Sequence, residues 1–180
     1  MNSKHVGNGF TIVELVVVII LLGILAATAL PRLTNVDVDA HVAAFKGVKS
    51  GFQTGVALYH AQWVADGQAS AGTAIPEFNN LLTNATGFPY GATVNSGHTP
   101  GTSVDCVSVF SGIMPGGPSV APVSGLQGLL GLSSEYGAHL NAGVCNYYYT
   151  AQANASGEMV PFISYVPVTG LVLDSLQTLP

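Results

Sequence analysis

Charge is scarce in this sequence: 7% of 180 residues are charged, with four cations against nine acids and a formal net charge of −5. All four cations, Lys4, Arg32, Lys46 and Lys49, precede residue 50, and everything beyond carries acids only. A domain without Lys or Arg cannot form the phosphate-neutralising surface that nucleic acids require, which argues against a nucleic-acid partner. Catalytic signatures are missing too. The chain has no GxxxxGK[ST] phosphate loop, no HExxH zinc helix and no GxSxG elbow. His41 and His60 fall on a long helical stretch and His98 and His139 in expected loops, none with a His or Cys at metal-ligand spacing. Asp37 and Asp39, two apart, point to different sides of a helix and form no carboxylate pair. The expectation is a non-enzyme without cofactor or metal.

Cysteine is limited to Cys106 and Cys145. An even pair in a chain whose start directs it to a membrane reads as a disulfide, with two buried free thiols or a metal site as the alternatives. Gly, Ser, Thr, Ala and Asn are plentiful, a balance that suits secreted or membrane-tethered proteins. Asn84-Ala85-Thr86 and Asn154-Ala155-Ser156 match the N-glycosylation pattern, but each is followed by Gly and reads as a backbone turn.

What is abundant is apolar length. Phe10 to Leu30 is 21 residues with Glu14 as the single charge. As a helix it spans about 31 Å, the thickness of a bilayer core. A cleaved secretory signal is the alternative, with Ala26-Ala27-Thr28-Ala29 imitating its cleavage site. A carboxylate inside such a tract costs roughly 2.5–3.5 kcal/mol at mid-helix. It therefore calls for a partner, or it snorkels to the interface one turn away. Gly23 and Pro31 each weaken the same helix, by backbone entropy and by a missing N–H respectively.

The string GFTIVELVVVIILLGILAATALP closely resembles the start of type IV prepilins. The resemblance covers the first 33 or so residues and is shared by the pseudopilins of type II secretion. It implies that a prepilin peptidase cuts after Gly9, that Phe10 becomes an N-methylated amino terminus, and that Glu14 neutralises the Phe10 ammonium of a neighbouring subunit. It further implies that Gly23 to Pro31 extends when subunits pack. The implied division is a leader over 1–9, a hydrophobic transmembrane and assembly helix over 10–33, and a globular head over 34–180 that includes the rest of the long helix.

In that head, Val38, Val42, Phe45, Val48, Phe52, Val56, Tyr59 and Trp63 recur every three or four residues, one apolar face of a helix ending near Asp66-Gly67. Gly47, Gly51 and Gly55 form a second line, which each cost about 1 kcal/mol against alanine and call for close approach by an internal strand or by another subunit's helix. Residues 67–101 read as loop with short elements at most. Strands are expected at Val104–Phe110, Val144–Ala151, Met159–Val166 and Leu171–Leu173, with a short helix at Leu126–Leu132. The fold class is therefore α+β, a long N-terminal helix packed on a small antiparallel sheet, which the resemblance makes a pilin fold. The landmarks GFPYG, VDCVSVF, CNYYYT and FISYVPVTGLV follow an order similar to pilin-like proteins of the MSHA (mannose-sensitive haemagglutinin) group.

The function implied is a structural subunit of a bacterial type IV, MSHA-like pilus. It would be inserted in the inner membrane, processed after Gly9 and polymerised, alone or with other pilins, into a helical filament that serves surface attachment. A minor pilin or type II secretion pseudopilin keeps the fold and changes the machine. A membrane-anchored binding protein is the alternative of another class.

Overall fold

The computed structural model describes residues 10–180, the side chains of residues 30–38 excepted. The leader with Gly9, and the side chains of Pro31, Asp37 and Val38, thus lie outside the described residues. The chain divides into two compact units, residues 1–42 and 43–180.

Helix α1 (Ile12–Ala65) begins in the first unit. Its window Ile12–Ala29 has a mean hydropathy of 2.8, and none of it is buried within the chain. By length and composition it can cross a membrane. The helix passes Gly23 without interruption, and a side chain added there would meet nothing within 4 Å.

The second unit is built on the later turns of α1. Phe45, Phe52, Val56 and Tyr59 of the expected stripe are buried, while Val48 and Trp63 are half-buried. Phe52 is the hub: its ring stacks on Phe110 at 5.5 Å and meets Tyr147 and Tyr165 edge-on at 5.4 and 5.6 Å. Burying each such ring contributes about 1.5–3 kcal/mol, and the ring pairs add to it. The helix stops after Ala65, where Gly67 turns at φ +80° and the Gln68 N–H donates to Trp63 O at 2.9 Å.

Two sheets complete this unit. The first holds β1 (Ala74–Ile75), β2 (Leu81–Thr83) and β3 (Pro89–Gly91), short antiparallel strands in the stretch read as loop. The second runs β4 (Val120–Pro122), β5 (Tyr136–Asn141), β6 (Val144–Tyr149), β7 (Met159–Val166) and β8 (Leu171–Thr178) in that order. All neighbours are antiparallel except β4 and β5, which pair in parallel. The α+β class therefore stands, with a mixed rather than purely antiparallel main sheet.

The stretch Val104–Phe110 corrects the sequence reading: it lies in helix α2 (Ser103–Ile113), not in a strand. Its three valines and Phe110 give it the composition of a strand, but Asp105, Cys106, Val109, Phe110 and Ile113 share one buried helical face. Asp105 also secures the start of α2, its Oδ2 accepting the N–H groups of Gly101 at 3.0 Å and Thr102 at 3.1 Å. Of the helix expected at Leu126–Leu132, a 3₁₀ turn forms over Leu126–Leu129.

The glycine line on α1 is also corrected. A Cβ on Gly55 would sit 2.5 Å from Ile113 Cγ2 and 3.0 Å from Ile113 O, so the close neighbour is the end of α2, not a strand. Gly51 faces the Met114 side chain, and Gly47 faces open space.

Candidate functional site

The amino-terminal helix opens with a reciprocal cap. Thr11 precedes the first helical residue, Ile12, and Glu14 stands three residues on. The Glu14 N–H donates to Thr11 Oγ1 at 3.3 Å. In return Glu14 Oε2 accepts from the Thr11 N–H at 2.9 Å and from the Thr11 hydroxyl at 2.8 Å. This is the capping box T-x-x-E, in which the carboxylate satisfies a donor that the first turn leaves free. The carboxylate is also well placed against the positive end of the helix dipole. Its other oxygen, Oε1, takes no hydrogen bond among the described residues. The sequence reading treated Glu14 as a charge awaiting a distant partner and missed Thr11, although T-x-x-E was readable.

Around this cap the surface is apolar. Phe10 is 77% exposed, and Ile12, Val13, Leu15 and the large residues on to Leu25 are exposed as well. An uncovered apolar helix of this length needs lipid or other helices around it.

The second unit holds the remaining sequence-marked residues. Cys106 on α2 and Cys145 on β6 form a disulfide with Cα atoms 5.5 Å apart, both fully buried. It closes a loop of 39 residues and ties α2 to the middle of the main sheet. The Tyr147 hydroxyl donates to Cys106 O at 2.9 Å beside it.

The histidines are dispersed. His60 stacks on Phe88 at 4.5 Å with its Nδ1 3.2 Å from Gly87 O. His98 meets Tyr90 edge-on. His139 is in β5, not in a loop as expected, because the strand pairs along its length with β6. Both its ring nitrogens are buried without a hydrogen-bond partner among the described residues, and burial pushes its pKa down. Among the described residues no group of three or more His, Cys, Asp or Glu is placed to hold a metal ion.

A shallow cleft of about 140 Å³ lies at the end of the head, where the β2–β3 turn, the loop before α2 and the β7–β8 turn converge. Asn84, Thr86, His98, Thr99 and Val168 line it. Asn84 is consumed by structure: its Nδ2 donates to Pro167 O at 2.7 Å, and its Oδ1 accepts from Thr86 N, Thr86 Oγ1 and Phe88 N. The turn reading of Asn84-Ala85-Thr86 thus describes its geometry.

No family model matches the chain, and no solved structure matches its fold.

Proposed function

We propose that this chain is a structural subunit of a bacterial type IV, MSHA-like pilus, made as an inner-membrane precursor, cut after Gly9 and polymerised through its amino-terminal helix. The observation that carries this reading is the Thr11–Glu14 cap at the head of an exposed apolar helix. Cleavage before Phe10 would create an ammonium one residue from Thr11. The free oxygen of Glu14 could then accept the ammonium of a neighbouring chain while Oε2 stays on Thr11. Such a pair sets axial register, and side-by-side packing of the helices supplies most of the affinity, at about 25 cal/mol per Å² of apolar surface buried. Any opening of Gly23 to Pro31 would follow packing, since the isolated helix is unbroken at Gly23. The disulfide-closed head would face outward and serve attachment.

The test is to shear filaments from the cell surface and identify by mass spectrometry whether they contain this chain beginning with N-methylated Phe10. Abundant processed chain supports the proposal. An uncleaved chain confined to the inner membrane overturns it, and trace amounts in the fibre point instead to a minor pilin.

A further inference from the structure

The main sheet ends on two unlike edges. The first edge, β8, is eight residues long, pairs with β7 in unbroken register and contains neither Pro nor Lys, the residues that commonly blunt an edge. Its one charge, Asp174, is matched within the chain by Lys49 at 2.6 Å. Leu171, Leu173 and Leu176 on it are about half exposed. The opposite edge, β4, is short and ends on Pro122, which has no N–H to extend a ladder, so a contact at this edge rests on side chains rather than on a continued sheet.

The strand directions make these edges compatible. Since β4 and β5 are parallel and every later neighbour is antiparallel, β8 runs opposite to β4. A second head in the same orientation, placed beside β8, therefore presents its β4 antiparallel to it. The cross-strand row Ala121, Gly137, Tyr148, Phe162, Ser175 crosses the whole sheet, so Ser175 on one edge is level with Ala121 on the other.

Charge follows the same division. Residues 43–180 contain only two cations, Lys46 and Lys49, against six acids. Lys49 is matched by Asp174, whereas Lys46 is exposed and forms no ion pair among the described residues. Lys46 stands three residues before Lys49 on α1, on the same side of the helix as the residue that pairs with Asp174 of β8, and next to Phe45, which contacts Tyr149. At the β4 edge, exposed Glu135 accepts at Oε2 from Ser119 N at 3.0 Å, and its other oxygen takes no hydrogen bond among the described residues. It is two residues beyond Gly137, toward the Tyr149 end of the rows and therefore toward the level of Lys46.

We infer that the β8 edge docks the β4 edge of a second copy of this chain, with Lys46 of one head paired to Glu135 of the next. The contact is heterologous, so it repeats from copy to copy. It rests on the proposal that many copies assemble, but it concerns the heads alone.

The test uses full-length chain in membranes. Lys46→Cys and Glu135→Cys chains are co-expressed and treated with a short bis-maleimide; the native cysteines are silent in their disulfide. A mixed dimer is expected, well above either variant alone and above a Lys46→Cys with Glu77→Cys control. Lys46→Glu or Glu135→Gln should each weaken association about two- to fivefold, the range of an exposed ion pair. The swap Lys46→Glu with Glu135→Lys should restore it. Cross-linking no better than the control, or a swap that fails to rescue, overturns the inference. Processed filaments without the cross-link would sink this contact and leave the pilus proposal intact; the cross-link in chains that never leave the membrane would do the reverse.

Discussion

Glu14 Oε2 accepts two hydrogen bonds from a single residue, Thr11, at 2.9 Å from its N–H and 2.8 Å from its hydroxyl. The charge in the apolar tract is thereby fastened to the first turn of its own helix before any second chain arrives. Thr11→Val keeps the shape and removes the hydroxyl, and under the pilus proposal it should lower the yield of sheared filament at equal membrane levels of the chain. Thr11→Ser should stay near the parent, and Glu14→Leu should fall furthest. Normal assembly by Thr11→Val would show that the cap has no part in positioning Glu14.

Two glycines at the end of the head are required by both conformation and space. Gly170 turns at φ +69°, and a Cβ there would lie 2.1 Å from the Phe88 ring; at Gly87, φ +81°, it would lie 2.2 Å from Trp63. Alanine at either site should cost about 3 kcal/mol, from left-handed strain together with overpacking. Gly143 has a similar φ of +79° but open space around it, so Gly143→Ala should cost only about 1–2 kcal/mol. Urea unfolding of the three variants separates the effects; equal losses would show that crowding contributes nothing.

These contrasts indicate which features sequence could reveal. The head half of α1 was legible because its apolar residues keep a 3.6 period from Phe45 to Tyr59 against one core. Strand β7 was read at its observed bounds, Met159–Val166, from a run of β-branched and aromatic residues. Helix α2 reads as a strand because Val104, Val107, Val109 and Phe110 concentrate β-branched and aromatic residues, and only T-x-x-D at its start and the buried spacing Cys106, Val109, Phe110, Ile113 betray the helix. Strand β5 was hidden for a tertiary reason. Gly137, Ala138 and His139 have little strand preference of their own, and pairing with β6 along six residues makes the strand. The Lys46 and Glu135 placements depend on strand order, which no local pattern encodes.

The disulfide should matter to a head of this size. Closing 39 residues restricts the unfolded chain by about 4 kcal/mol in the loop-entropy description. The paired variant Cys106→Ala, Cys145→Ala should therefore unfold at markedly lower urea, with α2 losing amide-exchange protection ahead of β6 and β7. An unchanged unfolding midpoint would mean that α2 is held by Phe110 and Ile113 packing alone.

His139 predicts the direction of acid sensitivity. Its ring nitrogens are buried without partners among the described residues, and burial lowers its pKa in the folded head, so the unfolded chain binds the extra proton first. Its contribution is thus full above the ordinary histidine range near 6.5 and is lost as pH falls from there toward the folded pKa, below which the loss levels off. The measurement is a difference between two chains that share every other group: urea stability of the parent and of His139→Leu from pH 7.5 to 4.5. The parent should weaken more steeply than the variant as the pH drops below about 6.5. Parallel curves would mean that the ring gains a solvent partner on protonation and carries no acid sensitivity of its own.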